Sequence, residues 1–271
     1  YVEMIKLAGG KPVLVPCREE KDFALDIPAI AAAITPQSRA ILINTPNNPT
    51  GAVYAEHALR ELAELACRAD LYIIVDEIYE KLVYNGKRHF SIASISPEVC
   101  QRTVLINGFS KAYAMTGWRM GYAAGPEDLI RAINAYQSHS TSCPSSIAQY
   151  AALEALRGPQ ESVAKMRSEF DRRRLFLINR LNAIDRIRCI NADGAFYLMP
   201  NVKLYFGTRY NDRQIRNSTD FAEYLLEEAH VAVVPGTAFC ADDNVRISYA
   251  TSMENLQKGL DRIEAVLAKL H

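Results

Sequence analysis

The sequence predicts an α/β protein: a mainly parallel sheet flanked by helices, followed by a smaller α+β unit. Three observations carry this. Short continuous apolar runs alternate with helical patterns through the first half, as in βαβ units. A long charged helix pattern starts directly after the Gly158-Pro159 breaker. Beyond it, short strand-like runs and helices mix, as in α+β domains.

Taken in order, "AILIN" (40 to 44) reads as a buried strand, being an uninterrupted apolar run. "EHALRELAELACRAD" (56 to 70) reads as an amphipathic helix with Leu59, Leu62, Ala63, Leu65 and Ala66 on its inner side. "LYIIV" (71 to 75), "TVLIN" (103 to 107) and "MGYAA" (120 to 124) are the next strands, the last stopped by Gly125-Pro126. The pattern from 158 to 184 is one long helix, and it sets a domain boundary: a large unit over 1–160 and a small one over 161–271. "GAFYLMP" (194 to 200), a helix at 218 to 230 capped by Ser218 or Thr219, "VAVVPG" (231 to 236), "VRISYA" (245 to 250) and a helix from Met253 to Leu270 follow. No internal repeat or low-complexity segment is visible.

The totals exclude several function classes. With 271 residues, 49% of them hydrophobic, the chain can bury a full core. Its 31 basic and 31 acidic residues cancel, which excludes the basic stripe of a nucleic-acid binder. Six cysteines (17, 67, 100, 143, 189 and 240) are scattered without a CxxC pair and read as reduced, mostly buried thiols of a cytoplasmic protein. The longest apolar runs, such as "AIAAAI" (29 to 34), are too short for a membrane span. The opening "YVEMIKLAGGKPVLV" has neither the pattern of a signal peptide nor an initiator Met, and reads as the interior of a longer chain. None of the five histidines forms a metal pattern, and His139 reads as structural.

In open α/β sheets, ligands sit beyond the carboxyl ends of the parallel strands. Three strands here are followed by unusual chemistry: "TPNNPTG" (45 to 51), "DEIY" (76 to 79) and "GFSK" (108 to 111). Each alone reads as a rigid turn, a cap or a loop. Together they supply, in order, an Asn amide, an Asp carboxylate, a Tyr hydroxyl and a Lys amine, with an Arg shortly after. That is the set needed to hold pyridoxal phosphate.

At Gly108, Ser110, Lys111, Ala114, Gly117, Arg119 and Gly121 the chain matches the lysine signature of class I aminotransferases. It resembles a fold-type-I pyridoxal-phosphate aminotransferase of that family from residue 1 to 271, and within it the bacterial aspartate/prephenate branch. "NNPTG", "DEIY", "GAFYLMP", "VPGTAF" and "VRISYATS" resemble that branch in the same order. The resemblance implies a transferase-like large domain, lacking its N-terminal part here, a small C-terminal domain, and a homodimer. It also implies transfer of an amino group between an amino acid (aspartate, glutamate or an aromatic or prephenate-type substrate) and a 2-oxo acid.

For the residues it implies the following. Lys111 bonds to the cofactor aldehyde and later moves the substrate proton, which requires a neutral amine. Asp76 pairs with the pyridinium nitrogen, while Glu77 points elsewhere. Tyr79 and Asn48 reach the ring's 3′ oxygen, Asn48 also touching the substrate carboxylate, with Asn47 a turn residue. Arg119 holds the phosphate as a fixed fork, with Ser110 as a second donor because Gly108 stands where many relatives carry serine. Arg246 clamps the substrate carboxylate; by itself it would read as a sheet-edge arginine. The aromatic that stacks on the ring, the phosphate loop and a distal-carboxylate reader fall upstream of Tyr1. The same residues suit a β-lyase or elimination, and a truncated, inactive fragment remains a second alternative. A nicotinamide-binding domain is disfavoured, because no GxGxxG follows a strand.

Overall fold

In the computed structural model, which describes residues 1–271, strands β1 (Ala40–Asn44), β2 (Tyr72–Asp76) and β3 (Thr103–Gly108) run parallel. A fourth, β4 (Gly121–Ala124), adds to β3 antiparallel, giving the order β1-β2-β3-β4. Asn44 pairs with Asp76, and Asp76 with Ile106, so β1 and β2 end level and β3 runs two residues further, to Gly108.

Helices α1 (Val2–Leu7) and α2 (Ile27–Ala33) precede β1, and α3 (Glu56–Arg68) crosses from β1 to β2. Leu59, Leu62, Ala63 and Ala66 of α3 are buried with Ile73 and Val75, as the spacing predicts, while Leu65, expected with them, is only partly buried against the same cluster. The short α4 (Pro97–Cys100) leads into β3, and α5 (Glu127–Ser138) and α6 (Ser146–Arg157) follow β4. The expected 158-to-184 helix is α7 (Glu161–Ala183), delayed past Gly158 and Pro159.

In the second half, β5 (Tyr197–Leu198) pairs with the last strand, while β6 (Arg209–Tyr210) and β7 (Arg213–Gln214) form a separate hairpin. Helix α8 (Ser218–Tyr224) continues as a π-helical turn over Leu225–Ala229. Its cap is neither Ser218 nor Thr219: the Asn217 side chain accepts from the Asp220 amide at 2.9 Å, and the Ser218 hydroxyl donates to Asp242 at 2.7 Å. Strand β8 (Val234–Pro235) is shorter than its apolar run, and β9 (Val245–Ser248) is central in the order β5-β9-β8. Arg246 therefore stands on an interior strand, not a sheet edge. Helix α9 (Met253–Leu267) is the last element and stops three residues short of the expected Leu270.

The largest apolar cluster joins Tyr79, Leu82 and Tyr84 to residues of α7, α8, β9 and α9. The cysteines are all free, but only Cys189 is buried; Cys100, Cys143 and Cys240 are exposed on a helix end or in coil, which corrects the expectation of mostly buried thiols. No helix is long and apolar enough to cross a membrane.

Candidate active site

The loop after β1 is pinned to the end of β2. Asn44 donates from Nδ2 to the Asp76 carbonyl at 2.9 Å and accepts at Oδ1 from the Asn48 amide at 2.7 Å. Thr45-Pro46 and Asn48-Pro49 are cis. Asn47 makes the turn, accepting at Oδ1 from the Thr50 amide at 3.1 Å and hydroxyl at 2.8 Å. Asn48 is thereby held beside β9, where its Oδ1 accepts from Arg246 Nη1 at 3.0 Å.

Asp76, half-buried at the tip of β2, has no cationic partner within salt-bridge distance. Its Oδ1 accepts from the Ile78 amide at 3.0 Å and its Oδ2 from the Tyr1 hydroxyl at 2.6 Å. Two of the roughly four lone pairs of a carboxylate are thus used. Glu77 points elsewhere, as expected: it is buried, its Oε2 lies 2.9 Å from His89 Nε2, and Glu80 joins them.

Lys111 sits in the turn after β3, where Ala114 donates back to its carbonyl at 3.3 Å. It is half-buried, and its amine has no hydrogen-bond acceptor or acidic partner. The amine stands 5.5 Å from the Phe196 ring centroid and 5.8 Å from that of Tyr79. Removal from water, then the Arg246 and Arg119 charges, push its pKa down; Asp76 pulls the other way. The turn packs closely against β4: a Cβ on Gly108 would meet Gly121 Cα and the Met120 carbonyl at 3.0 Å.

Tyr79 is buried, and its hydroxyl lies 3.1 Å from that of Tyr197. Burial raises its pKa well above that of a free phenol. Arg246 is half-buried between two rings, with its guanidinium carbon 4.5 Å from the Tyr197 centroid and 5.0 Å from that of Phe239. No carboxylate pairs with it, and its Nε is buried without an acceptor. Arg119 is exposed, takes a left-handed backbone at φ 53°, and donates from Nη1 to the Thr116 carbonyl at 2.9 Å. Ser110 is half-buried and its hydroxyl has no partner.

Asp76, Arg119 and Arg246 therefore all act electrostatically on Lys111, with Asn48 tied to Arg246 and Tyr79 beside Lys111. Ser110 makes no contact that joins it to them. Four residues here have no individual place in the sequence reading: Tyr1, Phe196, Tyr197 and Phe239. Tyr1 meets Asp76 across 75 positions and Tyr197 meets Tyr79 across 118, separations that leave no local periodicity to detect.

The family model for aminotransferase class I and II matches residues 1–263. The chain is similar to an aspartate aminotransferase of Geobacillus stearothermophilus, at 48% identity over 97% of this chain and 66% of that protein. It is similar also to an aspartate/prephenate aminotransferase of Cereibacter sphaeroides, at 47% over 100% of this chain and 68% of that one. The solved aspartate aminotransferase of Rhizobium meliloti superposes with a TM-score of 0.96 at 45% identity, covering 100% of this chain and 68% of that one. The chain thus spans about two thirds of the length of these relatives, and it belongs to the class I and II aminotransferases.

Proposed function

We propose that the protein carrying this chain is a pyridoxal-phosphate-dependent aminotransferase, working between aspartate, glutamate or an aromatic or prephenate-type amino acid and a 2-oxo acid. The observation that carries this is the pairing of two cations without acidic partners, the Lys111 amine and the Arg246 guanidinium, in one electrostatic field with the Asp76 carboxylate. The residues present fit the cofactor. Asp76 keeps free lone pairs, Arg119 presents an open fork, and the close packing of Gly108 on Gly121 brings the lysine turn against the sheet.

Bound there, pyridoxal 5′-phosphate supplies a reactive aldehyde and an electron-withdrawing ring. Lys111, its proton held loosely, supplies the amine and then carries a proton to and from the substrate α-carbon. Asp76 holds a proton at the ring nitrogen, with the Tyr1 hydroxyl fixing the carboxylate. Tyr79 and the Asn48 amide would supply donors to the ring's 3′ oxygen; because Asn48 Oδ1 is taken by Arg246, its Nδ2 is the group free to donate. Arg119 binds the phosphate, with Ser110 as a second donor. Arg246, held between two rings, receives the substrate carboxylate. We place the large domain at 1–160 and the small at 161–271, closure of the latter excluding water. Exposed Tyr136, Ile147 and Tyr150 support a homodimer, and six free cysteines support a cytoplasmic setting.

The test is a steady-state assay of the full-length protein with aspartate and 2-oxoglutarate. Glutamate should form, and Lys111→Ala should abolish both turnover and the visible absorbance of the loaded protein. A β-lyase would instead release pyruvate-type products from an amino acid alone, and either that result or a band unchanged in Lys111→Ala would overturn the assignment.

A further inference from the structure

The geometry points to Tyr197 as a positioning residue that links the Tyr79 hydroxyl to the Arg246 guanidinium, so that the cofactor side and the carboxylate side of the site are set by one ring. The inference rests on the aminotransferase reading above and adds to it a residue with two separable effects.

Tyr197 lies on β5 opposite Ser248 of β9, two residues beyond Arg246. Side chains two apart on a strand share a face, which makes Tyr197 and Arg246 diagonal cross-strand neighbours. The contact follows: the guanidinium carbon sits 4.5 Å from the Tyr197 centroid, with Phe239 at 5.0 Å. A delocalised cation over a ring face is attracted to it, more so where water is excluded. Two rings and the Asn48 bond leave the arginine little rotational freedom while its Nε remains without an acceptor.

The other end of the same side chain lies 3.1 Å from the Tyr79 hydroxyl, and both tyrosines are buried. The Tyr197 hydroxyl has no other partner. Two facing hydroxyls share one proton between them, so if Tyr197 donates, the Tyr79 proton is left to point into the cleft. An acceptor in the cleft selects that arrangement, and chained hydrogen bonds polarise one another. Tyr79 then donates more strongly than it would alone. The charged groups facing the pair are Asp76 at the end of β2, Lys111 after β3, and Arg246 on β9, with Arg119 acting on Lys111.

The two effects separate by substitution in the full-length, pyridoxal-phosphate-loaded protein. Tyr197→Phe keeps the ring and removes the hydroxyl. It should raise the pH midpoint of the visible-absorbance titration by roughly half a unit to one unit, because a donor to the ionised form is weakened. Its Kd for maleate, a dicarboxylate without an amine, should change less than about twofold, since the ring under Arg246 remains. Tyr197→Leu removes both and should weaken maleate about tenfold. In a Tyr79→Phe background, Tyr197→Phe should give no further shift of the midpoint, a readout that a merely structural role would not produce.

A wild-type midpoint in Tyr197→Phe, or an equal shift in the Tyr79→Phe background, overturns the inference while wild-type transamination stands. Unchanged maleate binding in Tyr197→Leu overturns the link to Arg246. A wild-type protein that neither develops the band nor forms glutamate sinks the aminotransferase reading itself, which is a distinct outcome.

Discussion

The Lys111 ammonium is held where its proton leaves readily: part of its hydration is gone, two arginines face it, and only Asp76 favours the charge. Its pKa in the folded chain is thus below the ordinary 10.5. In the window between the two values the unfolded chain binds the proton and the folded chain does not. Stability of the cofactor-free protein therefore rises with pH through that window, and the penalty is fully present below it. Lys111→Met removes the titrating group and keeps much of the stem. Its Tm should exceed that of the cofactor-free wild type at pH 7, with the difference shrinking as pH approaches 10.5. Calorimetry of both proteins across that range checks it, and a difference that widens with pH would assign the wrong sign. The same unpaired state that weakens the fold at this residue is what keeps the amine available for chemistry.

At the scale of elements, the site depends on how the loop after β1 seats against the segment before β5. Gly51, at φ +70°, accepts through its carbonyl from the Asp193 and Gly194 amides at 3.0 and 2.8 Å. A Cβ on Gly194 would come within 2.6 Å of Pro46 Cβ and 2.8 Å of Val53 Cγ2, neither of which is the far end of a flexible chain. Gly194→Ala should cost about 1–3 kcal/mol of stability by overpacking. Because it pushes apart the segments bearing Asn48 and Tyr197, it should also raise KM for the amino acid more than it lowers kcat. Urea unfolding and steady-state kinetics together read both effects. The three strands that end in Asn44, Asp76 and Gly108 were legible because each is an unbroken apolar run followed at once by polar or glycine chemistry. Helices α5 and α6 have no place in the sequence reading, although Leu129, Ile133 and Tyr136 of α5 recur at helical spacing; no residue of α5 is buried, so its apolar stripe meets no core within this chain. The π-helical turn after Tyr224 keeps the apolar spacing of an α-helix, which hides it from periodicity. Asp76, Lys111 and Arg246 could be read from strand-end motifs, whereas the Tyr1 and Tyr197 contacts exist only once distant segments meet.

At the scale of the whole molecule, the two halves share a core. The proposed division near residue 160 crosses the largest apolar cluster, since Tyr79, Leu82 and Tyr84 lie in the first half and their partners in the second. All three are buried, and the Tyr84 hydroxyl donates to the Ala195 carbonyl at 2.5 Å. Arg174 of α7, fully buried, donates to Asn85 Oδ1 at 2.8 Å and reinforces the same seam. Burying a large apolar side chain contributes about 1.5–3 kcal/mol, so the three together are worth roughly 5–9 kcal/mol. That is comparable with the entire stability of a typical domain, about 5–15 kcal/mol. Residues 161–271 expressed alone should therefore retain helical far-ultraviolet circular dichroism but lose near-ultraviolet tyrosine signal and a cooperative melt. A sharp calorimetric transition from that fragment would show that the shared core is dispensable, and that the small unit moves as an independent body. Loss of the transition would instead mean that any closure over Lys111 bends the chain around Tyr79 and Tyr84, keeping the cofactor-side hydroxyl and the Arg246 strand in register as the unit moves.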